Sequence, residues 1–525
     1  MRNEGLGSWP ARRHRMTPDR VALVGEGSAL TYAELDERCR RLANGLAGLG
    51  VSRGDRVAYL GKNEPTLIET LFATTALGAV FVPLNWRLTP SELAYIVADC
   101  GAHVLVHAAE FAAPVALIRS DGSTRLRHAI ALDGTYDALV ARSPGDIVDH
   151  TVAMDDAAMI IYTSGTTGRP KGATLSHANV TWNCVNVLID TELAGDEVAL
   201  VCAPLFHVAA LNMITLPTIM KGGTVRLLPQ FNADEVLDEI ERHGVTVMFG
   251  VPAMFNAMAQ SPAWTATDLS GLRRALCGGA PVPLSTIRTY LDRGVAFLQG
   301  YGMTETSPGA LFLTADRAAD KAGSAGVPSF FTDVRVVRSD GTDVAPGEKG
   351  EVIVAGPNVM LGYWGLPEAT HEVMTGEWFH SGDVAVVDAD GFATIVDRLK
   401  DVIISGGENI YPAEVEAALY THPAVADCAV IGVPDATWGE VGRAVVVLRD
   451  GAEAGDPAAL LDHVRRQLAG YKVPKSLLFA DSLPRSGAGK LLKNVLRASH
   501  GAVRTDRAEP DSLDRTNADS LGGAR

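Results

Sequence analysis

Helical segments alternate with short apolar runs along roughly the first 300 residues, and this alternation is the strongest constraint on the fold. Thr31-Tyr-Ala-Glu34 matches a capping box that opens an amphipathic helix towards Leu49. Thr89-Pro-Ser-Glu92 repeats the pattern with proline at the first helical position. Apolar runs separated by helical patterns occupy residues 56–60, 80–82, 104–106 and 129–132. Because strands that alternate with helices form parallel sheets with crossover helices on their faces, the pattern predicts an α/β fold.

The pattern changes after residue 334, where short β-branched runs are separated by Gly, Asp and Pro turns. These runs cover residues 334–337, 351–354, 384–387 and 394–396. They predict a small β-subdomain. A polar stretch at Asp397–Asp401 follows, and then a compact α+β segment with helices at 412–420 and 457–468 and strands at 427–432 and 444–448.

The predicted organisation is therefore an α/β protein with a large N-terminal domain and a small α+β C-terminal domain. The N-terminal domain, residues 1–397, is expected to hold mixed and parallel sheets between helices, together with the β-subdomain. A hinge is expected at residues 398–400, and the C-terminal domain at 401–499. Residues 500–525 are polar and lack periodicity, so we expect a disordered tail.

Composition excludes several classes of protein. With 525 residues and 47% hydrophobic side chains, the chain is expected to form more than one domain. A net charge of −16 argues against nucleic-acid binding, which needs clustered Lys and Arg. The six cysteines form no CxxC pair, which favours a reducing cytoplasm over a disulfide or zinc module. We find no apolar signal-peptide core near the N-terminus, and the apolar run at 71–84 is too short to span a bilayer. We expect a soluble cytoplasmic protein with no integral membrane segment.

One string points to phosphate binding. Tyr162-Thr-Ser-Gly-Thr-Thr-Gly-Arg-Pro-Lys-Gly172 follows an apolar strand at 157–161. Its glycines let backbone amides converge on an anion, its hydroxyls add donors, and its lysine adds a positive charge. The spacing differs from a Walker A loop. The alternative is a surface linker rich in Ser, Thr and Gly. The candidate phosphate-binding residues are Thr163, Ser164, Gly165, Thr166, Thr167 and Lys171.

This string resembles the phosphate-binding signature of the adenylate-forming superfamily, which includes acyl-CoA synthetases, aryl-CoA ligases, luciferases and peptide-synthetase adenylation domains. Further strings match the family in order and cover nearly the whole chain. They are Pro204-Leu-Phe-His207, Gly278-Gly-Ala-Pro281, Gln299-Gly-Tyr-Gly-Met-Thr-Glu305, Trp378-Phe-His-Ser-Gly-Asp383, Asp397-Arg-Leu-Lys-Asp401, Ser405-Gly-Gly-Glu-Asn-Ile-Tyr-Pro412 and Pro484-Arg-Ser-Gly-Ala-Gly-Lys490.

The resemblance implies a nucleotide site that takes ATP and Mg²⁺. Glu305 and Thr163 are expected to hold the metal, and Thr304 to contact the α-phosphate. Asp383 is expected to hold the ribose hydroxyls with Arg398 close by. The alternative for Glu305 and Asp383 is a solvated turn residue. The residues expected around adenine are Gly279, Ala280, Pro281, Tyr301 and Gly302.

The resemblance also implies a second half-reaction with coenzyme A. Lys490 is expected to stabilise charge during adenylation. Rotation of a mobile C-terminal domain about Lys400 would then vacate that space for the thiol. The residues expected to line the pantetheine tunnel are Ser405, Gly406, Gly407 and Glu408. His207 is expected to act as a gate, with a satisfied buried histidine as the alternative.

The acid is expected to be apolar, because the candidate acyl pocket has mostly small and apolar side chains. Its residues are Val208, Asn212, Phe249, Gly250, Met303 and Pro308. The resemblance extends to actinobacterial feruloyl-CoA synthetases, and Asn212 offers a hydrogen bond to a phenol. The hypothesis is thus an ATP-dependent acid:CoA ligase for hydroxycinnamic acids such as ferulate.

Three alternatives stay open at this point. The chain resembles fatty acyl-CoA synthetases as well, so a medium- or long-chain fatty acid is the second substrate class. A silent adenylate-binding sensor would bind nucleotide without releasing pyrophosphate. A luciferase-like enzyme would share the first half-reaction. The oligomeric state is also open, with a homodimer as one alternative.

Overall fold

The computed structural model describes residues 4–148, 150–163, 169–280, 282–406, 408–449, 451, 456–485 and 491–501. The chain divides into two compact units, and the break falls between Lys400 and Asp401. Each unit has its own sheets and its own apolar core. Within the described residues, no helix is long and apolar enough to cross a lipid bilayer.

The first unit contains strands that alternate with helices along most of its length. Its strands are β1 (Val21–Gly25), β2 (Ser28–Thr31), β3 (Arg56–Leu60), β4 (Val80–Pro83), β5 (Val104–His107), β6 (His128–Ala131), β7 (Ala157–Thr163), β8 (Lys171–Ser176), β9 (Val198–Val201), β10 (Thr224–Leu227), β11 (Val247–Gly250), β12 (Arg274–Cys277), β13 (Ala296–Gly302), β14 (Gly309–Phe312), β15 (Val327–Pro328), β16 (Asp333–Val337), β17 (Lys349–Ala355), β18 (Gly362–Tyr363), β19 (Met374–Thr375), β20 (Trp378–Val387) and β21 (Ala393–Arg398).

The helices of the first unit begin mostly at capping residues or at proline. They are α1 (Trp9–Met16), α2 (Tyr32–Gly48), α3 (Pro65–Ala76), α4 (Pro90–Cys100), α5 (Ala112–Ser120), α6 (Thr135–Arg142), α7 (His177–Asp190), α8 (Val208–Ala210), α9 (Leu216–Lys221), α10 (Ala233–His243), α11 (Pro252–Gln260), α12 (Leu284–Leu291) and α13 (Pro367–Val373). Short turns of 3₁₀ helix cover Leu6–Ser8, Ala109–Phe111, Thr304–Thr306, Ala315–Arg317 and Leu399–Asp401, and one π-helical turn covers Leu211–Thr215.

Two large mixed sheets and one smaller sheet build the first unit. The seven-stranded sheet has the order β18-β8-β7-β4-β3-β5-β6, and the nine-stranded sheet has the order β15-β14-β13-β12-β11-β9-β10-β1-β2. Strands β3 to β7 pair in parallel, as do β9 to β13 with β1. The strands at or next to a sheet edge, β2, β8, β14, β15 and β18, pair antiparallel. The smaller sheet, β16, β17, β19, β20 and β21, is antiparallel.

One apolar cluster joins the two large sheets. It includes Val57 and Phe81 from the seven-stranded sheet, Val225 and Leu276 from the nine-stranded sheet, and Leu35 from helix α2. Each is almost fully buried. Burial of such a side chain contributes about 1.5 to 3 kcal/mol, so this shared core stabilises the packing of the two sheets.

The second unit begins at Asp401 and is a small α+β domain. It contains β22 (Ile403–Ser405), β23 (Glu408–Ile410), α14 (Pro412–Tyr420), β24 (Val425–Asp435), β25 (Gly439–Leu448), α15 (Pro457–Arg465), β26 (Ser476–Phe479) and α16 (Lys493–His500), with a 3₁₀ turn at Gly470–Lys472. Its sheet has the order β23-β22-β25-β24, and β26 pairs in parallel with β25. Helices α14 and α15 cover this sheet through a separate apolar core.

The predicted fold class is confirmed, and both capping boxes form. Thr31 and Glu34 bond reciprocally at the start of α2, and Thr89 and Glu92 do so at the start of α4. The helix predicted at 457–468 was too long by three residues. It ends at Arg465, because the N–H of Gln467 donates to the carbonyl of Val464, three residues back, in the tighter 3₁₀ pattern that often closes a helix.

Candidate active site

The candidate residues of the first unit gather where the parallel strands end. Strand β7 ends at Thr163, β11 at Gly250 and β13 at Gly302. The turn with His207 follows β9, and the turn with Gly279 follows β12. In open α/β sheets, ligands bind in the crevice outside the carboxyl ends of the strands. The fold thus brings phosphate-loop, adenine and acyl-pocket candidates to this end of the two sheets.

A chain of polar contacts links Lys171 to Glu305. The Lys171 ammonium lies 5.1 Å from the centre of the Tyr363 ring. The Tyr363 hydroxyl donates to Glu305 Oε1 at 2.8 Å. Burial, reinforced by the Glu305 carboxylate, raises the pKa of the Tyr363 phenol, so the hydroxyl stays protonated and can donate. Thr163 pairs with Lys171 across β7 and β8, and its hydroxyl donates to the Lys171 carbonyl at 3.4 Å. The Lys171 ammonium, the Glu305 carboxylate and the Thr163 hydroxyl therefore belong to one group, where β7 ends and β8 begins.

The segment 360–364 positions this group. The N–H of Met360 donates to the Glu305 carbonyl at 2.8 Å, and that of Trp364 donates to the Gly172 carbonyl at 2.7 Å. Strand β18 also pairs with β8, which places Tyr363 opposite Ala173. Because one segment bonds both to the 3₁₀ turn 304–306 and to β8, Glu305 is fixed close to the start of β8.

A second polar group surrounds Asp383, whose side chain is largely buried. Its Oδ2 accepts a hydrogen bond from the Tyr301 hydroxyl at 2.8 Å, and its Oδ1 lies 2.9 Å from Arg398 Nε. Asp383 and Arg398 are register partners across β20 and β21. Burial and the Asp383 charge raise the pKa of the Tyr301 phenol. A carboxylate has about four acceptor sites, so Asp383 can accept further donors from a ligand.

Two glycines have conformations or surroundings that exclude a side chain. Gly279 has φ +87°, in the left-handed region that favours glycine. A Cβ on Gly302 would lie 1.6 Å from the Pro308 carbonyl oxygen, so only glycine fits where β13 meets the following turn. Ala280 is exposed beside Gly279, and Thr304 is half-buried in the 3₁₀ turn that also carries Glu305.

The acyl-pocket candidates include a buried polar side chain with one unused acceptor. Asn212 is fully buried in the π-helical turn. Its Nδ2 donates to the Ser307 carbonyl at 3.1 Å, which fixes the orientation of the amide. Its Oδ1 is buried and has no hydrogen-bond partner among the described residues, and the same is true of the Ser307 hydroxyl. A buried acceptor without a donor is costly, so this site is suited to a ligand that brings one.

Two other asparagines hold the turn that faces Asn212. Asn183 donates to the Asn212 carbonyl at 2.9 Å and accepts from the N–H of Gly309 at 2.9 Å. Asn358 donates to the carbonyls of Thr306 at 2.8 Å and Gly309 at 2.6 Å. All their side chains are buried. The network leaves Asn212 little freedom to turn its Oδ1 towards a protein donor.

The remaining acyl-pocket candidates are apolar. Val208 and Phe249 belong to the main apolar cluster, and Met303 packs against it. Gly250 ends β11, and Pro308 lies in the turn whose carbonyl accepts from the Met303 N–H at 3.1 Å. Val208, Phe249 and Met303 thus all take part in the main apolar core of the first unit.

His207 precedes α8 and is packed against Phe206, with ring centres 4.5 Å apart. Its Nε2 is shielded from solvent and has no hydrogen-bond partner among the described residues. Burial, together with the charge of Arg87, lowers the pKa of His207 to about 4. The imidazole is therefore neutral near pH 7. The role of His207 as a gate stays a prediction, and so does the alternative of a satisfied buried histidine.

The candidates in the second unit lie on a hairpin. Ser405 ends β22 and pairs with Glu408 at the start of β23, and Gly406, with φ +60°, donates its N–H to the Trp438 carbonyl at 2.9 Å. Glu408 is exposed. Lys400 is an exposed residue of the 3₁₀ turn Leu399–Asp401. Candidates that lie outside the described residues are Ser164, Gly165, Thr166, Thr167, Pro281, Gly407 and Lys490.

Three residues that complete the site were missed by the sequence analysis. Tyr363 was missed, although the aromatic string Gly362-Tyr-Trp364 between two β-rich segments was a usable hint. Asn183 and Asn358 were also missed. Each is a single amide within a long segment, and only the fold brings them to Asn212.

Known protein families and individual proteins are similar to this chain along most of its length. The AMP-binding enzyme family matches residues 11–364, and the AMP-binding enzyme C-terminal domain matches residues 414–490. A feruloyl-CoA synthase of Amycolatopsis sp is 58% identical over 501 residues, which is 95% of this chain and 100% of that protein. An indoleacetate–CoA ligase of Aromatoleum aromaticum is 42% identical, covering 94% and 97%.

A solved structure is similar as well. It is the O-succinylbenzoate coenzyme A synthetase of Bacillus subtilis in complex with ATP and magnesium ion, with 34% identity, a TM-score of 0.84, and coverage of 93% of this chain and 99% of that one. The resemblance inferred from the motifs is confirmed. Since the family model covers well over half of the residues and continues into the second unit, the chain belongs to the AMP-binding enzyme family.

Proposed function

We propose that this chain is an ATP-dependent acid:CoA ligase that acts through an acyl-adenylate and prefers hydroxycinnamic acids such as ferulate. The observation that carries the proposal is the 58% identity to a feruloyl-CoA synthase along almost the whole chain. The polar groups around Glu305 and Asp383 support it, because their chemistry matches the parts of a nucleotide.

The nucleotide half of the site fits ATP with Mg²⁺. Glu305 uses only Oε1 for Tyr363, and its Oε2 has no hydrogen bond among the described residues. The Thr163 hydroxyl makes only one long bond there. Hard oxygens of this kind are the ligands that Mg²⁺ prefers, and the ion would neutralise phosphate charge. Lys171 would add a positive charge, and Thr304 a hydroxyl donor, beside the phosphates.

The group formed by Asp383, Tyr301 and Arg398 is proposed to bind the ribose and the adenine. Asp383 would accept from the ribose hydroxyls while Tyr301 and Arg398 hold its carboxylate in place. The Tyr301 ring, tied down at its hydroxyl, would present its face to adenine, and Gly279, Ala280 and Gly302 would allow close approach. Pre-oriented groups of this kind lose little freedom when the nucleotide binds.

The chemistry then divides into two steps. The acid carboxylate attacks the α-phosphorus of ATP and pyrophosphate leaves, with Lys490 proposed to stabilise the charge that develops. The thiol of coenzyme A then attacks the acyl carbon and AMP leaves. Ser405, Gly406 and Glu408 are proposed to line its approach after the second unit turns about Lys400. His207, neutral near pH 7, is proposed to separate the acyl pocket from this approach.

The preference for a hydroxycinnamate rests on Asn212. Its buried Oδ1 lacks a donor, and the phenol of ferulate supplies one, whereas a fatty acyl chain does not. The apolar side chains of Val208, Phe249 and Met303 suit the aromatic ring and the propenoyl chain.

The test is thioester formation from ferulate, coumarate, cinnamate, benzoate and octanoate with ATP and coenzyme A, using wild type and Lys490→Ala. We expect ferulate and coumarate to give the highest kcat/KM. Lys490→Ala should abolish pyrophosphate release. Preference for octanoate would contradict the substrate class, and absence of any acyl-CoA would contradict the ligase.

A further inference from the structure

A basic cavity lies at the edge of the seven-stranded sheet, away from the candidate active site. Its volume is about 280 Å³, and its lining includes Arg119, Arg127, Arg142 and His128. Arg119 is in the last turn of α5, Arg142 ends α6, and Arg127 immediately precedes β6. Three separate elements thus contribute one exposed arginine each, although the chain as a whole carries a net charge of −16.

The three guanidinium groups have no partner among the described residues. This differs from the neighbouring helix α2, where Arg38 pairs with Glu69 at 2.7 Å and Arg41 pairs with Glu37 at 2.6 Å. Around one cavity, three arginines without a partner concentrate positive charge locally in a chain that has an excess of acidic residues. A cation in the last turn of a helix interacts favourably with its dipole, which accounts for part of the placement of Arg119 and Arg142. It does not account for Arg127, which lies outside any helix.

The carboxylates close to the cavity in the chain are directed elsewhere. Asp133 accepts the N–H of Thr135 at 3.1 Å, Asp121 accepts from the Ser123 hydroxyl at 2.6 Å, and Asp137 lies 3.0 Å from Arg38. None of the lining residues is acidic. The positive charge of the cavity is therefore left for a ligand.

The rest of the lining is apolar. Leu49, Ile130 and Leu139 contribute, and Ile130 and Leu139 are buried. The lining of the cavity therefore combines arginine residues with aliphatic ones. An anion with a small apolar body complements both.

The cavity is separate from the nucleotide half of the site. Strand β6 forms one edge of the sheet, and four inter-strand steps separate it from β7, which carries Thr163. At about 4.8 Å per step, the separation is about 19 Å. A nucleotide seated at Thr163 does not reach the arginines through its phosphates.

We propose that this cavity binds a soluble phosphate monoester with a small apolar body. Each guanidinium offers a planar pair of N–H donors that matches phosphate oxygens, and the dianion balances the unpaired charge. The aliphatic wall selects an organic phosphate over the inorganic ion. This cavity takes no part in the ligase reaction. Binding of the phosphate monoester there does not depend on which carboxylic acid the enzyme uses.

The experiment is calorimetric titration of the full-length protein with phenyl phosphate and, in parallel, with inorganic phosphate. The variants are Arg127→Gln/Arg142→Gln and, as the matched control, Arg288→Gln. Arg288 is an exposed arginine on α12 that likewise has no partner among the described residues. Loss of two charge-assisted contacts should weaken phenyl phosphate binding about tenfold or more, while the control binds as wild type does. Inorganic phosphate should bind more weakly than phenyl phosphate.

Circular dichroism of each variant checks the fold. A second pair, Arg127→Lys/Arg142→Lys, retains the charges and should bind phenyl phosphate more tightly than the glutamine pair. Equal affinity in wild type, control and glutamine pair would overturn the proposal, as would no binding at millimolar concentration. Arg127- and Arg142-dependent binding to phosphatidic acid vesicles without binding of phenyl phosphate would also overturn it, in favour of a lipid surface.

Discussion

The nucleotide half and the acyl half of the candidate site differ in whether their polar groups have hydrogen-bond partners within the protein. In the nucleotide half, Asp383 lies between Tyr301 and Arg398, and Glu305 is bonded to Tyr363. In the acyl half, three buried polar atoms have no hydrogen-bond partner within the described part of the chain. These atoms are Asn212 Oδ1, the Ser307 hydroxyl and His207 Nε2.

This difference suggests that the residues of the nucleotide half serve the reaction with every acid, whereas those of the acyl half select which acid is used. Charged groups that are held by protein partners keep their geometry before the ligand arrives, and they act on the nucleotide in the same way whichever acid is bound. Unsatisfied buried atoms carry a cost that only a complementary ligand removes. Changes in the nucleotide half should therefore affect all acids, and changes in the acyl half should affect one acid more than another.

The largest effect is expected for Glu305→Gln. Loss of the carboxylate charge removes the proposed metal ligand while the amide can still accept from Tyr363. Catalytic rates with ferulate and cinnamate should fall together, by about 100- to 1,000-fold. Steady-state kinetics with both acids measure this. A loss confined to one acid would break the distinction between the two halves.

The second effect is expected for Asn212→Leu. Wild type should prefer ferulate over cinnamate by about 5- to 150-fold in kcat/KM, because cinnamate leaves Oδ1 unpaired at a cost of about 1 to 3 kcal/mol. The leucine variant should reduce this preference to near one. The ratio of the two kcat/KM values in one preparation cancels any loss of folded enzyme. An unchanged ratio would show that the phenol is bound elsewhere.

The third effect concerns proton binding by His207. Burial lowers its pKa from 6.5 to about 4, so between these values the unfolded chain binds more protons than the folded one. The free energy of unfolding is therefore highest above pH 6.5, where His207 is neutral in both states. It decreases as the pH falls from 6.5 towards 4, because only the unfolded chain takes up the proton readily. From pH 7 to pH 5 the loss is at most about 2 kcal/mol.

Urea unfolding of wild type and His207→Gln at pH 7 and pH 5 measures this loss. The variant should lose less stability than wild type over that interval. An equal loss in both proteins would mean that His207 is not held neutral.

The smallest effect is expected for Tyr363→Phe. The ring that faces Lys171 remains, and only the hydroxyl bonded to Glu305 is lost. A typical hydrogen bond contributes about 1 kcal/mol net, and a loss of that size would lower the rates with every acid about fivefold. Initial-rate assays with ferulate and cinnamate measure it. A larger fall with ferulate than with cinnamate would place Tyr363 in the acyl half instead.

Much of the fold follows from local sequence signals. The capping boxes at Thr31 and Thr89 mark helix starts, and the run at residues 56–60 coincides with β3. Helix ends were less predictable, as at Arg465, because the last turn depends on which carbonyl accepts the final N–H groups. The order of strands within each sheet depends on contacts between distant segments and was beyond the local pattern.

The candidate site was predictable where a residue lies in a string of several distinctive residues. Glu305 and Asp383 are of this kind. Asn183, Asn358 and Tyr363 are not, because a lone amide or a tyrosine in a loop has the same local pattern whether or not it reaches a site. The pairing of Asp383 with Tyr301 joins residues far apart in the chain, and only the folded structure shows it.

The acyl-adenylate can be detected by following one oxygen atom of the acid. Ferulate labelled with ¹⁸O in its carboxylate is converted by the enzyme with ATP and coenzyme A, and the AMP is analysed by mass spectrometry. An acyl-adenylate leaves one carboxylate oxygen on the phosphorus, so the account predicts one ¹⁸O in each AMP and feruloyl-CoA in equal amount. Unlabelled AMP, or label in inorganic phosphate, would contradict it.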